Sequence, residues 1–244
     1  MSLRADLAVS HAFKGFHMDE DEALDLLKRA DDEMLTKDEK DKRDRLVAAV
    51  RNLIDFAVCE EYQLYKKVKK RYDEFDDAID YDEYPDDFTD DCDEWCKTYN
   101  DAYATVENHD IEYAMGIALA WIGYGDNVYL TYMTQNDNRV RPWHFALQGE
   151  TYTKDDFPAW MIPPIEWACR CFLVPSYDGN ASKDMKHVMA KKAAKPKQLD
   201  GIFSESVAKC GRIFSASHPY FKVDKEDKSR LGEIADKLKG KYYV

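Results

Sequence analysis

A chain of 244 residues with 45% hydrophobic content can bury one large core or two small ones, which excludes wholesale disorder. The formal charge of -13 argues against a general nucleic-acid binder, because duplex phosphates repel such a surface unless cations are segregated on it. No apolar run approaches the roughly 20 residues a membrane-spanning helix needs, and the amino terminus carries His11, Lys14, Asp19 and Glu20 in place of a signal-type apolar stretch, so the expectation is a chain kept in the cytosol of the cell that makes it.

Between Phe16 and Met115 there is no glycine, and Pro85 is the only proline, a composition that predicts helices. Asp19 is placed to cap a helix carrying Ala23, Leu24, Leu27 and Ala30 on one face, and Glu22, three residues on, completes a capping box. Leu46, Val50, Leu53, Ala57, Leu64 and Val68 recur at helical spacing and predict a second helix, whose stripe Glu60 and Glu61 interrupt for one turn. From Tyr72 to Cys96 there is neither lysine nor arginine, and acids alternate with Tyr81, Tyr84, Phe88 and Trp95 around Pro85, which reads as an acidic loop or broken helix. The ligand spacing and central glycine of a calcium loop are missing there, and Cys92 and Cys96, one helical turn apart, have no neighbouring ligands to complete a metal set.

A third helix is predicted from about Asn100 to Ile122, with Val106, Tyr113, Ile117 and Trp121 facing inward and Gly123 and Gly125 ending it. Glycine, proline and tryptophan then become frequent, and Val128 to Tyr132 has the composition of a strand. Lys183, Lys186, Lys191, Lys192, Lys195 and Lys197 crowd one segment, a solvated linker or, alternatively, a DNA contact. Ile202 to Phe214 and Pro219 to Val223 are short apolar pieces expected to pair with the mixed region. Asp224 is placed to cap a final helix whose stripe of Leu231, Ile234, Ala235 and Leu238 suits docking on a partner or on the helical arm. The expected fold class is α+β: a mainly helical arm over 1–125 with an acidic loop near 72–96, a small mixed α/β module with short strands over 126–223 that includes a lysine-rich linker at 180–198, and a terminal helix over 224–244.

The most informative stretch runs through Asp137, Arg139, Val140, Arg141, Pro142, His144, Leu147 and Gly149, then Asp155, Asp156, Phe157 and Trp160, then Pro163, Pro164, Trp167, Cys169, Arg170 and Cys171. That order resembles the signature of the phage Mu protein F-like family of head morphogenesis proteins, in which an aspartate leads into Arg-Val-Arg-x-x-His-x-x-Leu-x-Gly and then, past an acidic Phe-x-x-Trp, into Pro-Pro and Cys-Arg-Cys. The family commonly has asparagine and glycine after the paired prolines, where this chain has Ile165 and Glu166, and asparagine before the first cysteine, where it has Ala168. These departures are read as touching turn chemistry alone. A second stretch, Lys209-Cys210-Gly211-Arg212-Ile213-Phe214 followed by His218-Pro219-Tyr220, looks like a carboxy-terminal extension of some members. Together the resemblance covers roughly 128 to 222.

Six cysteines without a dense, evenly spaced framework favour reduced thiols or a metal site over disulfides. Cysteines two apart on an extended segment point the same way, so Cys169 and Cys171, with His144 from the earlier loop, are candidate zinc ligands, and His218 or Cys210 is a candidate fourth. The plainer alternative is two buried thiols and a hydrogen-bonded interior histidine, with Arg139, Arg141 and Arg170 pairing Asp137, Asp155 or Asp156 and the tryptophans serving as core. A thiol nucleophile with its base, or general acid–base cleavage of RNA by His144 and His218, is a further reading, though no local enzyme signature accompanies it, and catalysis is not expected. The resemblance implies a virion protein incorporated during head assembly in the host cytoplasm, at the head or portal vertex. Its partners would be the portal and other head or neck proteins, with self-association and DNA contact through 183–197 as further options and no membrane. A portal-ring or neck protein and a virion-carried nucleic-acid-processing enzyme are the rival readings.

Overall fold

Leu46, Val50, Leu53 and Ala57 lie fully inside the molecule along one face of a 40-residue helix, with Leu64 beyond them also buried and Val68 half-buried. In the computed structural model, which describes residues 1–29, 34–76, 86–181 and 201–244, this helix is α3 (Lys37–Asp76). Thr36 starts it. The Thr36 hydroxyl accepts the N–H of Glu39 at 3.3 Å, while the Glu39 carboxylate accepts the N–H of Thr36 at 2.8 Å, so two donors that the helix cannot satisfy internally are paired. α2 (Glu20–Lys28) opens on the capping box of Asp19 and Glu22, with Ala23 and Leu27 buried and Leu24 half-buried. Ala30 lies outside the described residues.

A helix that the composition of the amino terminus did not signal, α1 (Ser2–Gly15), lies along both α3 and α5 (Ala104–Gly123). Its inner face is Ala5, Ala8, Val9, Ala12 and Phe13, mostly small side chains that let the neighbouring backbones come close. Gly15 marks the tightest point, where a Cβ would fall 2.2 Å from the carbonyl oxygen of Glu112.

The acidic region is helical on both sides: α3 continues to Asp76, and α4 (Asp86–Lys97) carries Trp95 and both cysteines. Tyr81, Tyr84, Pro85 and the side chain of Phe88 lie outside the described residues. α4 passes through a π-helical turn (Thr98–Tyr103) into α5. The buried face of α5 differs from the expected one near its start, where Glu107 rather than Val106 turns inward to meet Arg4. Val106, expected inside, is exposed, whereas Glu107 and Asp110 are buried together with Ile111, Ala114, Met115, Ala118 and Trp121. Arg4 explains how the acids are tolerated. Its guanidinium reaches Glu60 at 2.8 Å and Glu107 at 2.6 Å in the interior of the bundle, so Glu60, which interrupts the stripe of α3, is an internal ion-pair partner.

Beyond α5 the chain forms a three-stranded antiparallel sheet in the order β2-β1-β3, from β1 (Tyr129–Met133), β2 (Thr151–Thr153) and β3 (Phe172–Ser176). Leu130 stands opposite Tyr152 and Pro175, and Tyr132 opposite Leu173, so the alternation of β1 sends Leu130 and Tyr132 into the core. Phe157 packs edge-on against Tyr152 and against Trp121 of α5, joining the sheet to the helices.

The pieces after the lysine-rich segment dock on the helices as well as on the mixed region. α7 (Val207–Cys210) packs on α5 and α3. Asn52 of α3 accepts the N–H groups of Ile213 and Phe214 at 2.9 and 3.0 Å and donates to the Phe214 carbonyl at 3.0 Å. Phe214 stacks on Phe56 at 3.9 Å between ring centroids, and Trp167 closes over the same ring at 5.5 Å. α8 (Lys228–Lys241) starts after Asp227 rather than at Asp224, because the Asp224 carboxylate is drawn to Lys66 at 2.5 Å. Its stripe of Leu231 and Ala235 packs on α3, settling that face on the helical arm, and one buried hydrophobic cluster runs from α1 to this last helix. The six segmental lysines from Lys183 to Lys197 lie outside the described residues, and among those described no helix is long and apolar enough to cross a membrane.

Candidate functional site: a histidine, two cysteines and a buried glutamate

Arg141 adopts an extended conformation and Pro142, with its preset φ, opens the single-turn helix α6 (Pro142–Phe145). That turn points His144 inward, where it is 2% exposed. Its Nδ1 lies 3.3 Å from the Cys171 sulfur and 3.8 Å from that of Cys169, and its Nε2 lies 2.9 Å from an oxygen of Glu166. The structure therefore brings together His144, Cys169 and Cys171, both thiols free and buried.

Glu166 is the residue that sequence reasoning missed. It was read as a departure at a turn, yet it sits at the centre of the polar network. The Trp143 indole donates to it at 2.7 Å, and Arg141 pairs with its second oxygen at 2.9 Å while also donating to the Trp167 carbonyl at 2.8 Å. Burial pushes the Glu166 carboxyl up, but His144, Trp143 and Arg141 together hold it below its ordinary value. Burial pulls the imidazole down, but Cys169 and Glu166 hold it above its ordinary value. The signal available in the sequence was the charge itself, since an acid replacing a family glycine beside buried aromatics needs donors, and Arg141, Trp143 and His144 supply them.

The Cys-x-Cys segment is fixed from outside as well. One guanidinium nitrogen of Arg170 reaches both carboxylate oxygens of Asp137 at 2.8 Å, the Asp137 carboxylate also accepts the backbone N–H of Arg139 at 3.0 Å, and Arg170 holds Asp137 below the usual carboxylate range. Tyr113 of α5 donates to the Cys171 carbonyl at 2.6 Å. The expected arginine pairing thus holds for Arg170 with Asp137, but Arg141 takes Glu166 in place of Asp155 or Asp156, because Glu166 lies beside it behind the paired prolines. Burial drives the Cys169 thiol well above its ordinary value. Cys171 lies below its own, the contact with Cys169 outweighing burial and Tyr132 contributing further. Beside the imidazole is a cavity of about 20 Å³ bordered by Arg139, Arg141 and Arg170, room for about one water. Gly149, at φ +86°, donates its N–H to the Tyr132 carbonyl at 2.9 Å and turns the chain into β2.

His218 is not brought to this group. It packs edge-on against Phe56 and Trp167, its Nδ1 accepts the N–H of Tyr220 at 3.2 Å, and burial pulls it to about 4. Cys210 also stands apart, donating to the Ser206 carbonyl at 3.2 Å, and Cys92 and Cys96 remain on α4. The physical reason is the docking of 202–223 onto α3, which draws both candidates for a fourth ligand toward the helices. Trp167 lies against Phe203 and Phe214, and Trp160 is half-buried at the core edge.

Fold and site together define a helical-stem protein with a small α+β module tied by a buried Arg–Glu–His–Cys network. Residues 63–174 match the family described as Phage Mu protein F like protein. The matched region begins in α3 and ends in β3, so it takes in α5, β1, β2 and the first part of β3 but not the Lys209 to Tyr220 stretch. The chain is also similar to the Mu-like prophage FluMu F protein of Haemophilus influenzae, with 49% identity over 45 residues. That stretch is 18% of this chain and 11% of the relative, so the chain matches about a tenth of the relative's length. No solved structure matches.

Proposed function

We propose that this chain is a structural component of a bacteriophage head, a minor head or head-morphogenesis protein incorporated through the portal. The observation that carries the reading is the family match over residues 63–174, which encloses the complete His144, Glu166, Cys169 and Cys171 network. The likeness to a Mu-like prophage F protein supports the same class. The network knits α6, the Pro-Pro turn and the entry to β3 into one unit, which suits a part that must hold shape within an assembly. The attachment surface is sought on the outer face of α1, where Leu3 and Leu7, one turn apart, are exposed.

Mass spectrometry and cryo-microscopy of purified particles of the parent phage test the reading. The expected result is a chain present in fewer copies than the portal subunit and located at the portal vertex. Copies equal to the portal would replace it with a portal-ring or neck protein, and absence from particles would overturn it. Removing the amino-terminal helices would take away core residues, so the surface variant Leu3→Lys/Leu7→Lys is the cleaner probe: it should fold normally and be incorporated less.

A further inference from the structure

A pair of buried thiols facing an imidazole nitrogen whose other nitrogen is held by a carboxylate is a donor set with a specific chemical use. We propose that Nδ1 of His144 and the sulfurs of Cys169 and Cys171 hold one thiophilic divalent cation of the zinc type, with its fourth position open to the small cavity beside them. The inference concerns the site alone and does not depend on the role in a phage head.

The geometry carries it. Tetrahedral zinc, with bonds of about 2.3 Å to sulfur and about 2.0 Å to nitrogen, spaces its ligands about 3.5 to 3.8 Å apart. Here Nδ1 is 3.3 and 3.8 Å from the two sulfurs, and all three ligand atoms lie within 4.8 Å of one another. Glu166 sits on the far nitrogen at 2.9 Å, so with the proton on Nε2 donated to the carboxylate, Nδ1 presents its lone pair to the sulfurs. A carboxylate behind a liganding histidine orients the ring and raises its basicity. Two sulfurs and a nitrogen in a pocket where each residue is at most 3% exposed favour zinc over magnesium or calcium, which prefer oxygen ligands and water.

The support around the site is rigid. Arg141 ties Glu166 to the Trp167 carbonyl, and the Arg170–Asp137 pair brackets the Cys-x-Cys segment. On binding, each thiol releases its proton to solvent, so one divalent ion and two thiolates carry no net charge. No fourth side-chain ligand joins the group among the described residues, and the cavity of about 20 Å³ accommodates one water as the remaining ligand.

The test uses the full chain, purified with its thiols reduced, stripped of metal and then incubated with zinc or cobalt(II) and desalted. The expected result is one zinc per chain by elemental analysis. Cobalt should give intense tetrahedral d–d absorption with thiolate-to-metal charge-transfer bands. Cys169→Ser and Cys171→Ser should lose the charge-transfer bands, Cys210→Ser and His218→Asn should keep full stoichiometry, and Glu166→Gln should weaken affinity about 10 to 100-fold. A chain folded by circular dichroism that retains no zinc and shows no thiolate–cobalt band would overturn the proposal. So would binding that survives in Cys169→Ser and Cys171→Ser. Because the first readout is on the unaltered protein, poor folding of a variant does not blunt it.

Discussion

The carboxylate of Asp110, wholly buried on α5, accepts the backbone N–H of Ala168 at 2.8 Å, and Ala168 stands at φ +53°. A side chain in this left-handed region costs roughly 1 to 2 kcal/mol in an ordinary residue, less in asparagine and nothing in glycine. The family's usual asparagine at this position is therefore explained by backbone conformation, and alanine here is strained. Ala168→Asn should raise stability by about 1 kcal/mol, and Ala168→Gly by somewhat less because glycine loses more freedom on folding. Urea midpoints of the three proteins at one pH check this; a destabilised Ala168→Asn would contradict it.

Asp110 itself predicts a pH dependence. Burial pushes its carboxyl up to about 7, with the Ala168 N–H only partly offsetting the effect, and its other oxygen accepts no hydrogen bond. The folded state thus binds a proton more tightly than the unfolded chain. The associated stability is complete below the ordinary aspartate value near 4 and is lost as pH rises through about 7. Asp110→Asn keeps an oxygen for Ala168 and removes the charge, so its stability relative to the parent should improve between pH 5 and pH 8. Parallel denaturation curves at the two pH values would rule out a titrating Asp110.

A similar sign holds in the buried trio of Arg4, Glu60 and Glu107, where one guanidinium serves two carboxylates. Burial, and for Glu60 the neighbouring acid, push both carboxyls up despite Arg4. Stability from these groups is complete below their ordinary range and lost as pH rises through the raised values. Removing the guanidinium while keeping the stem, as in Arg4→Met, should cost about 3 to 5 kcal/mol, because it leaves two buried acids without a cation. The loss should be larger at pH 8 than at pH 5, where protonation relieves the pair. Thermal unfolding at both pH values measures the difference.

Glu166 gathers three donors, and its substitutions should separate acceptor from charge. Glu166→Ala removes the acceptor shared by the Trp143 indole, the His144 imidazole and the Arg141 guanidinium, for an expected cost of about 3 to 5 kcal/mol. Glu166→Gln retains one carbonyl acceptor and should lose about 1 to 3 kcal/mol. Denaturant titrations of the metal-free proteins give both values, and equal losses would mean that charge alone matters.

What was legible in the sequence follows from how local the cause is. The Asp19–Glu22 box and the stripe of α3 depend on residues within a turn or two, and both are present. The inward faces of His144, Cys169 and Cys171 follow from an unusual order of residue types, and the structure brings them together. Val106 is exposed because the neighbouring Glu107 is turned inward by Arg4, a partner more than 100 positions away that no local pattern announces. His218 was grouped with the thiols by its ligand chemistry, whereas Asn52 and Phe56, some 160 positions earlier, decide where its segment docks. Glu166 was seen as a turn residue because its three donors are 22 to 25 positions away along the chain. α1 went unread because its stripe is mostly alanine, whose value lies in the close approach it permits rather than in the apolar area it buries.

That close approach yields the last prediction. A Cβ on Gly15 would sit 2.2 Å from the Glu112 carbonyl oxygen, a backbone atom in the middle of α5 that no rotamer change can move. α1 and α5 would have to separate, at an expected cost of about 1 to 3 kcal/mol. Alanine's better helix propensity works in the opposite direction, by at most about 1 kcal/mol and by less at a helix end. Gly15→Ala should therefore destabilise the chain. Gly232 of α8 is the matched control, since nothing lies within 4 Å of a Cβ there, and Gly232→Ala should stabilise through propensity alone. Opposite shifts in the urea midpoint are the expected outcome. A neutral Gly15→Ala would mean that α1 does not lie as close to α5 as this geometry requires.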